Sequence, residues 1–428
     1  MSLSLRRCLL VAGCLSVLLL DGCGGKSSNN ANVRALNLIS GASDVKITAG
    51  GTTILTGGTF ESLSGFTGVG GGNQEFKVTL ASSPGNLVDA IYTLSSDISF
   101  TFVTAGNPGA AGGVLLADAY GTPTANNMAF RVLNLTAVVP VVDVYLTDPG
   151  ADLAAATPVV AGASYGGVTT FLTTPAGNLE LRITPNGTKD VLYDAPVALG
   201  AGTGQTVVAY SRGSSKLVNV VLLVSNSSGG VVNSQLAQLK VTNGTTVAAP
   251  LNVFVDGAQT VTNLAFAGVA PYQSIAAGTR QVTVESSATP GATLLTLAPN
   301  FVPATDTSIA LYGAAGSMAG LVLNDSNTLV PSGRASVRVV NVSQDFAAVD
   351  VYANFGKLVS GLAAGSASAY SLVDAVATGT PYRFDFNTAG TTNIVLSVPG
   401  LALAGGHVYT VYLLGSGPTL SGVLTLDR

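Results

Sequence analysis

Tryptophan is absent from the 428 residues, histidine occurs once, cysteine occurs three times, and only 9% of the chain is charged. Globular chains carry roughly 25% charged residues, so ionisable groups are scarce everywhere. With 18 basic against 22 acidic side chains, no cationic excess exists to neutralise phosphates, which argues against nucleic acid as a partner. One histidine, His407, and thiols confined to Cys8, Cys14 and Cys23 leave no zinc site of the usual nitrogen and sulfur type. Four glutamates (Glu61, Glu75, Glu180, Glu285) beside 52 glycines disfavour a helical architecture. What is abundant is apolar: 47% of the residues are hydrophobic and the net charge is −4, the reverse of a disordered composition. The length alone suggests two to four domains at roughly 150 residues each.

The N-terminus carries an export pattern. Arg6 and Arg7 precede an apolar run from Leu9 to Leu20, and Leu20-Asp21-Gly22-Cys23 follows. A basic start, an apolar stretch of about 7–15 residues and a small-residue exit describe a secretory signal peptide. The run is too short for a membrane-spanning helix, which needs roughly 20 apolar residues. Its end resembles a bacterial lipoprotein box, with Leu20, Gly22 and Cys23 matching and Asp21 departing. Residues 1–22 are therefore expected to be removed, taking Cys8 and Cys14 with them. Cys23 is then the single mature thiol and has no partner for an internal disulfide. Acyl chains on Cys23 would attach the protein to a membrane, since several chains anchor stably where one is marginal. The resemblance, with Gly24 rather than aspartate after the cysteine, implies the outer membrane of a Gram-negative envelope. The paired arginines also match the start of a twin-arginine signal, but general secretion fits the remainder better. Residues 23–31 are expected to be a flexible tether.

Four copies of one pattern follow. VRALNL, FRVLNL, LKVTNG and VRVVNV place Asn37, Asn134, Asn243 and Asn341 at intervals of 97, 109 and 98 residues. Three positions before each asparagine lies a base: Arg34, Arg131, Lys240 or Arg338. A second strand then opens with Asp44, Asp143, Asn252 or Asp350, nine residues after the asparagine in three copies and seven in the first. An aromatic (Phe66, Phe171, Tyr272, Tyr370) precedes a glycine-marked turn at Gly72, Gly177, Gly278 and Gly379, and an alternating strand comes next. Each copy closes with a hairpin, ending in GGVLLAD, VVLLVSN, GLVLND or GVLTLD. Asn186-Gly187 and Asp256-Gly257 read as two-residue hairpin turns. Polar junctions at 121–127, 225–234 and 324–333 separate the copies.

Seven or eight short strands per copy, without helical periodicity, predict an all-β chain of tandem immunoglobulin-like antiparallel β-sandwich domains. The boundaries read as 32–120, 128–228, 234–327 and 334–428. A transmembrane barrel explains the low charge but not a period near 100 residues. The repeats resemble the family called domain of unknown function 4397. The resemblance rests on Arg131–Leu146 and Arg338–Tyr352, with their R-V-L-N-L…V-D-V-Y-L and R-V-V-N-V…V-D-V-Y blocks, and on the Pro175-Ala176-Gly177 turn. It covers residues 32–428, with the second and fourth copies closest. It implies export and a β-sandwich, and carries no activity.

The chemistry on offer is thin. The recurring pairs Asn37/Asp44, Asn134/Asp143, Asn243/Asn252 and Asn341/Asp350 supply about two oxygens each, where Ca²⁺ takes six to eight. No metal or cofactor is expected, and the pairs read as structural caps of loop backbone. A cross-strand pairing of Arg131 with Asp143, and of Arg338 with Asp350, is a further structural option. Gly162-Ala163-Ser164-Tyr165-Gly166 matches the nucleophile elbow of serine hydrolases, which needs a following helix and a histidine in reach. Here a strand-like segment follows and His407 lies two copies away, so a hydrolase is the weakest reading. Tyr145, Phe254 and Tyr352 share one repeat slot and offer sugar-stacking platforms, against which stands their ordinary use in packing. The expected function is that of a lipid-anchored envelope protein with a structural or adhesive role and no catalysis. Its partner would be an envelope polymer or protein. The alternative is a polysaccharide-binding module with repeated weak sites.

Overall fold

In the computed structural model the described residues are 29–81, 83–212, 215–325, 329–376 and 381–428. The signal peptide, Cys23 and Gly379 lie outside them. The chain is all-β, and among the described residues the helical turns are two short 3₁₀ segments, Leu153–Ala155 and Gly417–Thr419.

The first copy shows the plan. Its strands are β1 (Asn30–Ile39), β2 (Val45–Ala49), β3 (Thr52–Gly58), β4 (Thr67–Gly70), β5 (Gly72–Leu80), β6 (Ser83–Leu94), β7 (Ser99–Gly106) and β8 (Gly112–Ala117). One sheet has the order β4-β1-β7-β8 and the other β3-β2-β5-β6. Neighbours are antiparallel except β1 and β7, which run parallel with Arg34 opposite Thr101. The other copies repeat this exception: Arg131 faces Thr206, Lys240 faces Ser308 and Arg338 faces Thr410 across parallel pairs. β1 begins at Asn30, inside the stretch read as tether, because Asn30 pairs with Gly70 and Ala31 enters the core.

The two sheets of a copy bury different patterns. In β2, Val45, Ile47 and Ala49 point inward while Lys46 does not, the alternation of a strand with one covered face. β1 is covered on both faces: Val33, Ala35 and Ile39 belong to the copy's own core, whereas Leu36 and Leu38 pack outside it. Their outer partners come from the second copy. Leu36, Leu38, Val103 and Leu116 meet Leu133, Val208, Tyr210, Val221 and Leu223 in one apolar cluster. The third and fourth copies pair likewise, through Ala310 and Leu323 against Val340, Val342, Tyr412 and Leu414. Thus the β1-type sheets face each other within two pairs, and the β2-type sheets face outward. The pairs are joined by Arg212, which donates to Glu61 of the first copy at 2.6 Å and to the Pro303 carbonyl of the third at 2.7 Å. Ser215 donates to Asp306 at 2.8 Å across the same junction.

Two local expectations change. Asp256 and Gly257 do form a two-residue turn, with φ of 47° and 81° and Val255 opposite Ala258. Asn186-Gly187 does not, since the strands Gly177–Pro185 and Tyr193–Leu199 are joined by a longer loop. There Asn186 and Gly187 bond to Asp143 instead, as described below. The junction at 225–234 is also partly ordered as strand: Gly229–Val232 pairs with Asn219–Val224.

Candidate binding site

The four asparagines are fully buried and hold the backbone together. Asn134 donates from Nδ2 to the Ala163 carbonyl at 2.8 Å and accepts from the Thr136 N–H at 2.9 Å and hydroxyl at 2.6 Å. Asn243 does the same with Leu264 and Thr245, and Asn341 with Leu362 and Ser343. Asn37 bonds to the Gly58 and Thr59 carbonyls and to the N–H of Ile39, which supplies no hydroxyl. Every polar atom of these amides is used, which is the condition for burying them.

The Asp/Asn partners sit in the opposite sheet. Asp143 accepts from the N–H groups of Gly162 and Gly187 and from Asn186, each at 2.8 Å. Burial alone would raise its pKa, but these donors and Lys189 outweigh it and hold the carboxyl below the usual range. Asp350 accepts from Lys357 at 2.8 Å and from the Gly361 and Gly390 N–H groups at 2.7 and 3.2 Å. Lys357 and then the two backbone donors bring it down to about 2. Asn252 accepts from the Asn263 N–H at 2.9 Å. Asp44 is exposed and uses its main-chain carbonyl to accept from Ala81. The pairings of Arg131 with Asp143 and of Arg338 with Asp350 do not form. The base and the aspartate belong to different sheets, because each copy switches sheets between its first and second strands.

The bases find other partners, in the same way in all four copies. Each lies over the aromatic that precedes the turn: Arg34 over Phe66 at 4.6 Å, Arg131 over Phe171 at 4.2 Å, Lys240 over Tyr272 at 4.8 Å and Arg338 over Tyr370 at 4.8 Å. These are desolvated cation–π contacts. The counter-charge comes from the last residue of the closing hairpin, and it crosses between copies. Lys240 pairs with Asp427 of the fourth copy, and Arg338 pairs with Asp325 of the third at 2.6 Å. The Ser308 and Thr410 hydroxyls donate to the same two carboxylates. Burial opposes the charge on Lys240 and Arg338, but the carboxylates prevail and hold both pKa values above normal. The first pair of copies is less complete. Asp118 serves Arg34 at 3.5 Å and Arg131 at 3.7 Å, while Ser225 occupies the slot of the second acid. Burial therefore lowers both arginine pKa values, with Asp118 only partly offsetting it. Arg34 compensates by donating to the Val224, Ser227 and Ser228 carbonyls of the second copy.

An open groove lies on the outward sheet of the fourth copy. Tyr352, Phe355, Arg383, Asp385, Asn387, Thr392 and Ile394 line a groove of about 290 Å³. The strands Ala348–Ala353 and Gly356–Ala363 are joined by Asn354-Phe355, with φ of 45° and 70°. A bulky side chain in the left-handed region costs on the order of 1–3 kcal/mol; glycine is the usual occupant. That turn leaves Phe355 76% exposed, and Ile394 is 49% exposed on the same groove. Arg383 lies over the Phe355 ring at 4.7 Å and grips Asp385 through Nε at 2.8 and 2.9 Å. Ser397 donates to Asp385 at 2.6 Å. Burial would raise the Asp385 carboxyl, but Arg383 and Ser397 together hold it below the usual range. Asn387 is 7% exposed, and its Oδ1 is buried without a hydrogen-bond partner. The groove thus joins two aromatic rings and a neutralised ion pair with Asn387, whose unpartnered Oδ1 is itself buried.

A family model described as a domain of unknown function, DUF4397, matches residues 31–145, 237–352 and 335–428. The chain belongs to the DUF4397 family. The first two DUF4397 matches each run through one whole sandwich and into the second strand of the next. Residues 146–236, most of the second copy, fall outside the matches. No curated protein matches. Among solved structures the chain is similar to a family CBM26 module of Eubacterium rectale Amy13K in complex with maltoheptaose. Identity there is 11% over 47% of this chain and 97% of that one, with a TM-score of 0.17. It is also similar to the Bacillus anthracis TIE protein, at 10% identity over 67% of this chain and 50% of that one, with a TM-score of 0.15. A third is the multi-modular glycogen-degrading pneumococcal virulence factor SpuA, at 8% identity, 63% and 38% coverage, and a TM-score of 0.17.

The shared aromatic slot behaves differently in each DUF4397 copy. Tyr145 is 2% exposed and lies under Lys189 at 4.4 Å, so no sugar can reach its face. Phe254 is half-buried beside the Asp256-Gly257 turn, which carries no ring. Tyr352 is half-buried with Lys357 Nζ over its ring at 5.4 Å, and it alone of the three is flanked by an aromatic turn, so the slot does not form a repeated series of platforms. Ser164 ends the strand Val160–Ser164, with Gly166 turning at φ 73°, and the next element is the strand Leu172–Pro175 rather than a helix. His407 bonds to the main-chain oxygen of Arg428 at 2.9 Å. Among the described residues no three or more His, Cys, Asp or Glu side chains gather as a metal site. Phe355, Arg383 and Asn387 escaped the sequence reading. The signal that could have found Phe355 was an asparagine-aromatic pair where the third copy has Asp-Gly.

Proposed function

We propose that this DUF4397 chain is an exported lipoprotein, held in the cell envelope by acyl chains on Cys23, that binds glycan non-catalytically on its fourth sandwich. The observation that carries the binding role is the exposed Phe355 held at φ 70° beside Tyr352 and the unpartnered Asn387 Oδ1. Aromatic faces take the C–H side of a sugar ring. Because Arg383 is already engaged bidentately by Asp385, the groove favours neutral polyols over uronic acids. Hydrolysis of a glycosidic bond canonically uses two carboxylates flanking it; the groove lining holds one, Asp385. The anchor rests on the Leu20-Asp21-Gly22-Cys23 pattern and the lack of another mature thiol.

Affinity electrophoresis of the mature chain in gels containing neutral glucans or polyuronates tests the binding role. Retardation by a neutral glucan, lost in Phe355→Ala, is the expected result. No retardation by any glycan would leave the second reading, a structural spacer, which the crossed ion pairs between copies favour. Cys23→Ser should move the protein from the membrane to the soluble fraction; retention in the membrane would refute the anchor.

A further inference from the structure

A second concavity shares no lining residue with the aromatic groove. Where the second, third and fourth copies meet, a cleft of about 710 Å³ opens, within the range of about 300–1,000 Å³ typical of small-molecule sites. One side is apolar, built from Val138, Val269, Ala270, Pro271, Leu329 and Leu426. The polar side contains Lys216, Lys240, Asp427 and Arg428. Lys240 and Asp427 neutralise each other. The two remaining cations are not so satisfied. Lys216 is exposed and pairs with no carboxylate among the described residues. Arg428 has a buried Nη2 without a hydrogen-bond partner. Its main-chain oxygen is taken by the His407 ring at 2.9 Å. The carboxylate that acts on Arg428, Asp306, accepts from Ser215 at 2.8 Å and acts on the guanidinium through its charge rather than through a direct ion pair. A site that sets spare cations beside an apolar wall matches an amphiphile of opposite charge.

We infer that this cleft binds a small amphiphile with one acidic head, a carboxylate or a phosphate, placed on Lys216 and Arg428 with its apolar body along 269–271 and Leu426. Both heads accept the same charge-assisted hydrogen bonds, so the chemistry is shared and the source is decided by measurement. This reading is independent of the glycan groove.

Isothermal titration calorimetry on the mature chain, below micellar concentrations, would compare decanoate, decyl phosphate, decylamine and inorganic phosphate. Decanoate or decyl phosphate should bind once per chain, and the tighter of the two identifies the head. Decylamine should bind at least about tenfold more weakly, the usual worth of a hydrogen bond to a charged group. Inorganic phosphate should not compete, because it lacks the apolar body. Lys216→Glu, a change at an exposed position, and Arg428→Gln should each weaken decanoate by about tenfold. Phe355→Ala should leave it unchanged. Equal binding of decylamine and decanoate, competition by inorganic phosphate, or indifference to both substitutions would overturn the inference.

Discussion

Asp350 shows how one side chain ties a loop to a sheet. It stands on the strand Ala348–Ala353 and reaches the Gly361 and Gly390 N–H groups on two separate segments. With Lys357 these donors depress its pKa to about 2, against about 3.9 for an unfolded aspartate. The folded form therefore binds its proton less readily than the unfolded form. The resulting stabilisation is complete above the unfolded value and is lost as pH falls from about 4 through about 2. We predict that denaturant midpoints of the fourth copy fall steeply across that window in the parent chain, and that Asp350→Asn lowers the midpoint at pH 6 while flattening the slope. Equal slopes in the two proteins would show that Asp350 is not the linked group. The recurrence of an Asn and an Asp was legible in the sequence, as was the idea that they cap backbone. Their partners were not, since Gly361 and Gly390 are eleven and forty residues distant and belong to no motif.

At the scale of the element, the Asn354-Phe355 turn sets stability against exposure. Three copies offer a ready comparison: Asp256-Gly257 in the third and Gly50-Gly51 in the first place glycine where the fourth has Phe355. Phe355→Gly should relieve the left-handed strain and raise the stability of the fourth copy by about 1 kcal/mol, measured by thermal or denaturant unfolding. The same substitution should abolish retardation in neutral glucan. Loss of stability together with loss of binding would mean that the ring is a packing element. Sequence reading found the strand before this turn, which opens at Asp350, but not the strand Gly356–Ala363 that follows it. It missed the turn because an aromatic there obeys no propensity; the strand register alone reveals which two residues sit at the tip. The same limit hid the double burial of β1. A short, mostly apolar segment such as VRALNL is consistent with a strand, but does not show that its second face is covered by another copy.

Across the whole molecule, the four sandwiches act as two charge-locked pairs whose acidic slots differ at one position. In the second pair, two bases meet two acids: Lys240 with Asp427 and Arg338 with Asp325. In the first, Arg34 and Arg131 share Asp118, and Ser225, 6% exposed with an unpartnered Oγ, fills the remaining slot. Arg131 Nη2 is left without a hydrogen bond as a result. Ser225→Asp should supply the missing carboxylate and stabilise the first pair by about 1.5–3 kcal/mol, the worth of a hydrogen bond to a charged group, read as a higher denaturant midpoint.

The converse change belongs to the second pair. Lys240→Met leaves Asp427 buried against Thr410, Tyr370 and the more distant Arg338 at 3.8 Å. Breaking one partner of a buried pair costs about 3–5 kcal/mol. Because the ion pair crosses between copies, that loss falls on both at once. Native-state hydrogen exchange should then show Leu236–Thr245, Arg334–Ser343 and Val408–Gly415 losing protection together, while Asn30–Ile39 and Asn127–Leu135 keep theirs. A loss confined to the third copy would mean that the sandwiches are coupled only by their chain. A loss shared by all four would mean that Arg212 and Ser215, which bridge the pairs, bind them into one cooperative body.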